Sequence, residues 1–573
     1  MQSHKIVDIP GDFPSFAQTY ARAKQLSSEI TIGKSCFLDK VGCQSELDYK
    51  QQCMTAGTIM YHAHIGLNDW PETEAALVYL DKKLRDDGHQ LDRVGIALDR
   101  RMGLPPELRQ LAAAETGPMI TEAQQWNDLT QCAAIQPHMG DFMIGMPASV
   151  TNTLLALNAG VTTIGNLSQY FAFETPLWDD AVATAEQTTM AIALLGQFRD
   201  QGTLLHSYLE DGYGALFKDC RTVAGWAYLE RYIVEELLGA KLSHCIGGLT
   251  TNPVRRAGWV FALDKIHGGE CVGSMIYGDT LSFTQDFERN RAVVSEYLTW
   301  DILAQLHCPT GHAVLPLPVT EAVRIPSAEE VYDAQRLGRQ IELSARRLYP
   351  HVDFTEAERF ASEVCEGGEQ IFNRALAGLA AEGIDTQNPL VLLYLLKKMG
   401  PEWFEDQFGL EPQTAWLTDI TLLGQSVVSE LTESFSAPYA KQQFAGVKLL
   451  LASTDVHAHA IASIEKLLNL AGAEVINLGV EQGVKQIVSA MQKHEPSRVL
   501  LSTHNGVALE YARQLKTAMQ QANLMQTVYF GGVLNQKVDD QALPVEVTND
   551  LEEMGFIPIG SAEMLLTEMR LYR

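Results

Sequence analysis

The run Leu449-Leu450-Leu451-Ala452 ends abruptly in Ser453-Thr454-Asp455-Val456-His457, and an apolar, helix-favouring segment at residues 461–470 follows. A short continuous apolar run of this kind is the pattern of a strand buried on both faces, as in a parallel sheet covered by helices. The pattern recurs downstream. Residues 473–480 end at Gly479-Val480, residues 499–506 end in Ser502-Thr503-His504-Asn505-Gly506, and residues 527–532 end in Gly531-Gly532, with helix-length segments between them. A doubly wound sheet is expected, and such sheets bind ligands beyond the carboxyl ends of their strands. Paired glycines let an extended ligand lie against bare backbone. Asp455 and His457 can act as orienter and ligand, because the carboxylate takes one imidazole proton and leaves the other nitrogen more basic for a metal. Taken alone, that pair reads as a capping aspartate beside a loop histidine; the neighbouring strand ends change the reading.

Upstream, short apolar runs recur at residues 57–62, 93–98, 132–136, 161–165, 203–206, 242–246, 271–277 and 312–317. Segments of helical period lie between and after them, at 72–84, 105–111, 149–157, 179–198, 223–237, 253–265, 287–305 and 328–348. Eight strands alternating with eight helices is the sequence form of a TIM (β/α)8 barrel. The expected fold class is therefore α/β: a TIM barrel, a helical segment, and a C-terminal flavodoxin-like (Rossmann-like) domain. The expected divisions are an N-terminal extension at 1–50, the barrel at 51–348, a helical linker at 349–438 and the last domain at 439–573. Residues 16–26 read as weakly helical and 36–47 as loop. The linker reads as helices at 356–364, 369–381, 389–398 and 422–432, with Pro438 breaking the chain before the last domain.

Polar residues just past barrel strands converge on one mouth. Here they are His62, His64, Asn68, Asp69, Asp99, Arg100, Arg101, His138, Asp141, Asn166, Gln169, Tyr208, Asp211, Tyr213, Asn252, Arg255, Arg256, Tyr277 and Asp279. Singly each is a loop cap or a surface charge; as a ring they describe a substrate pocket.

A chain of 573 residues exceeds one core. Its formal net charge of −28 argues against nucleic acid and anionic membranes as partners, since both need a basic footprint. None of the nine cysteines forms a Cys-x-x-Cys pair, so neither a zinc site nor a redox dithiol is supported. Scattered cysteines suit a reducing compartment. Met1-Gln2-Ser3-His4-Lys5 opens no apolar targeting core, and no run approaches a membrane span, so a cytoplasmic location is expected.

As a set, Asp455-x-His457, Ser502 and Gly531-Gly532 at successive strand ends resemble the cobalamin-binding domain of the base-off, histidine-on type, and in particular the small subunit of the glutamate mutases. The resemblance covers residues 445–573. It implies cobalt held from below by His457, with Asp455 as hydrogen-bond partner of that imidazole. Ser502, Gly479, Gly531 and Gly532 would then receive the nucleotide tail. The chain departs from the family pattern at Ala460, where the family has glycine, and at His504, where it has leucine.

Pro147-Ala148-Ser149-Val150-Thr151-Asn152, the stretch 159–165, and Leu238-Gly239-Ala240-Lys241 through Asn252-Pro253-Val254-Arg255 resemble the large subunit of the same family, so the two subunits would be fused. The resemblance implies an adenosylcobalamin-dependent carbon-skeleton mutase, a radical isomerase, paired as a homodimer. The family clamps two substrate carboxylates with three arginines. Arg100 stands about where the first belongs, but residues 113–118 and 136–138 offer no second or third, and the residue that meets the substrate amine is replaced near Asn166 and Gln169. The expected substrate is therefore a small carboxylic or amino acid other than glutamate, held by Arg100, Arg101, His138, Asn166, Gln169 and Tyr213. Arg255, where the family has lysine near the adenosyl or corrin edge, is assigned to the cofactor. The alternatives are a cobalamin-dependent methyltransferase and a non-catalytic cobalamin sensor or carrier.

Overall fold

The computed structural model describes residues 9–270, 273–434, 444–454, 458–480, 482–504, 506–538, 541 and 543–571. It divides into two compact units, Met1–Ala112 with Gly117–Ile420, and Ala113–Thr116 with Thr421–Arg573. Among the described residues no helix is long and apolar enough to cross a membrane.

The first unit is built on a ring of short parallel strands: β1 (His62–Ile65), β2 (Arg93–Ile96), β3 (Gln136–His138), β4 (Thr163–Ile164), β5 (Leu204–Tyr208), β6 (Leu242–Cys245), β7 (Met275–Ile276) and β8 (Ala313–Val314). They pair as β1-β2-β3, β4-β5-β6 and β7-β8. Single parallel bridges join Met139 to Ile164, Ile246 to Ile276, and Tyr61 to Val314, the last returning the eighth strand to the first. Each apolar run of the sequence overlaps one of these strands. The first strand starts later than 57 because Gly57, at φ 64°, ends the preceding helix. That shift places His62 and His64 within β1 rather than after it.

The residues at 36–47 are not a loop. Helices Cys36–Val41 and Glu46–Ala56 are capped by Ser35 and Ser45, whose side chains accept from Leu38 N and Asp48 N. The second helix lies across the starts of the strands and buries Glu46, Lys50 and Cys53, so the apolar stripe that marks a helix in sequence is missing. Glu46 Oε1 is 2.6 Å from Arg93 Nε and 3.7 Å from Lys50 Nζ, and Thr163 Oγ1 donates to Glu46 Oε2. Lys50 also donates to the carbonyls of Ser274 and Gly311. A fully buried charged cluster thus closes this end of the ring.

Other helices also differ from expectation. Residues 105–111 hold only a 3-10 turn, Arg109–Leu111; the helix of this crossover is Ala123–Gln131, entered through a capping box of Glu122 and Gln125. The two helices expected at 356–364 and 369–381 are one, Thr355–Ala381. Its Gly367 and Gly368 do not break it; they admit the helix Cys220–Arg231, since a Cβ at Gly368 would lie 2.7 Å from that of Ala224. A further helix, Pro401–Phe408, has no counterpart in the sequence reading.

The second unit is a five-stranded parallel sheet of β9 (Lys448–Ser453), β10 (Glu474–Asn477), β11 (Arg498–Thr503), β12 (Thr527–Gly532) and, after a short antiparallel pair of β13 (Asn535–Gln536) with β14 (Val545–Glu546), β15 (Ile557–Ile559). The order is β10-β9-β11-β12-β15, the flavodoxin-like arrangement. Alternate residues of β9 enter opposite cores: Leu450 and Ala452 pack with Ile487, Met491 and Leu515, while Leu449 and Leu451 pack with Ile461, Leu468 and Met569. Burial on both faces is the reason the strand reads as an unbroken apolar run.

Candidate functional site

In the second unit the strand order reverses between β9 and β11, the switch point where such sheets take ligands. Ser453 pairs with Ser502 and Ser502 with Gly531, while Ser453 N donates to Gly479 O at 3.0 Å. The row Gly479, Ser453, Ser502 and Gly531 therefore carries nothing larger than a hydroxymethyl group. At Gly531 an added Cβ would come no nearer than 3.5 Å to Ile559 O, so packing leaves that position room. Gly532 differs. Its φ is +98° and a Cβ would lie 2.2 Å from Thr503 O, so backbone conformation demands glycine. The His504 ring stands beside it, half-buried.

The hydroxyls of Thr454 and Thr503 are buried at the same edge without a hydrogen-bond partner among the described residues. Buried polar atoms are nearly always paired, by protein or by a bound molecule. A trench of small residues edged by such hydroxyls fits the extended tail of cobalamin. Asp455 and His457 lie outside the described residues. The helix Ala458–Leu470 begins directly after them, and position 460 lies inside it.

In the first unit the carboxyl ends of the strands gather a connected polar group. Gln169 Nε2 donates to Asp141 Oδ1 at 3.0 Å and Asp211 Oδ2 at 3.1 Å, and Asn166 Nδ2 donates to Asp211 Oδ2 at 2.7 Å. Asn166 Oδ1 accepts from Tyr208 N, and Gln169 Oε1 accepts from Phe142 N. Phe142 holds φ at 57°, a left-handed conformation that costs a side-chain-bearing residue about 1–2 kcal/mol. Strain of this kind beside Asp141 fixes where that carboxylate points.

His64 Nε2 lies 3.8 Å from Asp141 Oδ2. Burial draws the His64 pKa down, but the hydrogen bond and charge of Asp141 outweigh it and leave it raised. Glu321 is pushed up to about 7 by burial, with His64 opposing. Tyr208 and Tyr277 stack at 5.0 Å, and His64 meets Tyr277 edge-on at 6.0 Å. Deeper in the ring, His138 packs against His206 at 4.5 Å and His62 at 5.9 Å. The arrangement offers hydrogen-bond donors, carboxylates and flat aromatic walls.

Of the residues expected at the site, Asn166 and Gln169 come together here, while His138 lies deeper, against His206 and His62. The others do other work. Arg101 spends its fork on Asp99, through Nε at 2.9 Å and Nη2 at 2.8 Å. Arg100 is buried in the turn Arg100–Gly103. Tyr213 is a correction: its hydroxyl donates to the carbonyls of Leu396 and Lys397, and its ring packs with Phe171, Phe217 and Trp226. Arg255 pairs with Asp419 at 2.7 Å and donates to the carbonyls of Leu417 and Ala415, which fastens the segment before Ile420. Arg256 is fully buried on Asp301.

Sequence reasoning passed over His206 and Glu321. His206 sits inside its strand, two residues before Tyr208, and alternation along 204–208 marks it as facing the same way as Tyr208. Glu321 follows the eighth strand, beyond the seventh, where the roll of mouth residues stopped.

The B12 binding domain family matches residues 448–547. Over 110 residues the chain is 34% identical to the glutamate mutase sigma subunit 1 of Haloarcula marismortui, an alignment covering 19% of this chain and 71% of that protein. Sigma subunit 2 of the same organism is 30% identical over 81 residues, 14% of this chain and 55% of that protein. Among solved structures, a cobalamin-binding protein from Desulfitobacterium hafniense aligns at 19% identity with a TM-score of 0.20, covering 36% of this chain and 94% of that one.

Proposed function

We propose, from the premise that the chain belongs through its C-terminal unit to the glutamate mutase sigma-subunit family, that it is a cobalamin-dependent carbon-skeleton mutase. The ring of eight parallel strands is read as a TIM barrel serving as the catalytic domain, as a large subunit fused ahead of the small one. The substrate is a small carboxylic or amino acid other than glutamate. The observation that carries the reading is the row Gly479, Ser453, Ser502 and Gly531, a trench at the switch point within the matched segment.

His457 would hold cobalt from below, Asp455 would orient that imidazole, and Ser502, Gly531 and Gly532 would receive the nucleotide tail. When bound, adenosylcobalamin supplies a carbon-centred radical by homolysis of its cobalt–carbon bond. The chain's own residues have three tasks. The buried wall of the ring keeps water from reactive species. Asn166 and Gln169 hold the Asp141 and Asp211 carboxylates in fixed positions, where a substrate amine or hydroxyl can donate to them. The stacked pair Tyr208 and Tyr277 gives a flat surface that restricts how the substrate turns.

The test labels the histidines with ¹⁵N and records electron paramagnetic resonance of the protein with cob(II)alamin. Axial imidazole changes the superhyperfine pattern from triplets to doublets, and His457→Ala abolishes that change. A pattern indifferent to the label would remove His457 from cobalt. Anaerobic incubation with adenosylcobalamin and candidate acids should then yield cob(II)alamin coupled to an organic radical. Demethylation of methylcobalamin by a thiol, with no radical, would instead support methyl transfer.

A further inference from the structure

Three imidazoles lie deep in the ring. His62, His138 and His206 come from β1, β3 and β5, and each is at most 1% exposed. Both ring nitrogens of His62, both of His138, and Nδ1 of His206 have no hydrogen-bond partner among the described residues. Leaving one buried polar atom unpaired costs about 1–3 kcal/mol, so five at one place are not ordinary core packing. His244 on β6 differs, being paired at both nitrogens, with His267 at 2.9 Å and Glu230 at 3.1 Å, and His312 before β8 is paired at Nδ1 with Thr310.

Two of the unpaired nitrogens face bare backbone. A Cβ at Gly95 would lie 3.0 Å from His62 Nε2, and one at Gly140 would lie 3.1 Å from His138 Nε2. Any larger residue would cover them. The charged groups nearest the trio are Arg93 and Lys50, with Glu46 between them. Two cations and one carboxylate leave a formal excess of one positive charge. Burial, and then these charges and the neighbouring imidazoles, hold all three rings neutral.

We propose that His62, His138 and His206 form the floor of the substrate site and bind a carboxylate through their imidazole N–H groups, replacing the missing arginine forks. The inference rests on the reading of the protein as acting on a small acid. Neutral imidazole donates from one nitrogen and accepts at the other, so the trio offers three donors with tautomers the ligand can select. A divalent cation suits the site less well. The local charge is positive, and among the described residues no group of three or more metal-binding side chains is arranged to hold an ion.

The test uses the full chain without cobalamin and succinate as probe. The ¹⁵N signals of the three imidazoles should move together on titration with succinate, with no net proton uptake from buffer. His138→Phe should weaken succinate binding at least tenfold while cobalamin binding stays unchanged; His206→Asn, which keeps a donor, should weaken it less. Should His138→Phe fail to fold, the wild-type imidazole signals and His206→Asn decide. Signals unmoved by succinate, in a chain that still binds cobalamin, overturn the inference and leave the mutase reading standing. Tight zinc binding that shifts the same signals would also overturn it, by making the trio a metal site.

Discussion

His64 Nε2 stands 3.8 Å from Asp141 Oδ2, and Asp141 is itself held by Gln169. The pairing raises the His64 pKa against the opposing pull of burial. A group whose folded pKa lies above its unfolded value stabilises the fold fully below the unfolded pKa, near 6.5, and that stability is lost as pH rises through the folded value. Asp141→Asn should lower the His64 pKa, as read by imidazole NMR, and should destabilise the protein more at pH 6 than at pH 9. Equal destabilisation at both pH values would separate the two residues.

Glu321 contributes a slope of the same sign. Its carboxyl sits at about 7 rather than the ordinary 4.5 because of burial, so the folded state binds its proton more tightly than the unfolded chain. Stability should fall between about pH 4.5 and 7 from this group alone. Glu321→Gln should flatten urea midpoints across that window, and an unaltered profile would show that Glu321 ionises normally.

The two glycines at the end of β12 make a paired test. Gly531→Ala has 3.5 Å of room and should fold normally, yet weaken cobalamin binding at least tenfold if the tail lies on it. Gly532→Ala puts a Cβ 2.2 Å from Thr503 O at φ +98° and should cost the second unit about 1–3 kcal/mol with or without ligand. Binding titrations beside thermal melts separate the two effects.

What the sequence made legible follows from burial. Leu449 to Ala452 face two cores in alternation, so every position is apolar and the strand announces itself. Its end is legible as well, because the apolar run gives way at Ser453 and Thr454 to small hydroxyl residues. The helix Glu46–Ala56 hid because its inward face carries Glu46 and Lys50, a polar solution to a buried position. The helix Thr355–Ala381 read as two because Gly367 and Gly368 look like breakers until their contact with Ala224 and Arg221 is known. Among candidate-site residues, the closeness of Asn166 and Gln169, which share Asp211, was legible from the strand ends. Arg101 and Tyr213 were not, because their partners Asp99 and the carbonyls of Leu396 and Lys397 depend on how the loops fold.

The cluster at the closed end of the ring should be stiff but vulnerable. Arg93, Lys50 and Glu46 are all fully buried. Removing one partner of a buried ion pair strands the other charge, at about 3–5 kcal/mol. Glu46→Gln should therefore lower the unfolding free energy read from urea titration by that margin while the fold of the second unit persists. A loss below about 1 kcal/mol would mean that water reaches the cluster.

Tyr213 separates a reading by position from one by contact. Counted from the fifth strand it belongs to the mouth, but its hydroxyl is engaged with the end of the helix Pro389–Met399 and its ring is 3% exposed among aromatics. Tyr213→Phe keeps the ring and removes only the hydroxyl, so it should cost about 0.5–1.5 kcal/mol of stability and, under the proposed function, leave turnover and KM unchanged. A residue touching the reacting carbons would behave in the opposite way, losing turnover while the melting temperature held. Measuring both in one variant decides between them, because the hydroxyl cannot serve the helix end and the substrate at once.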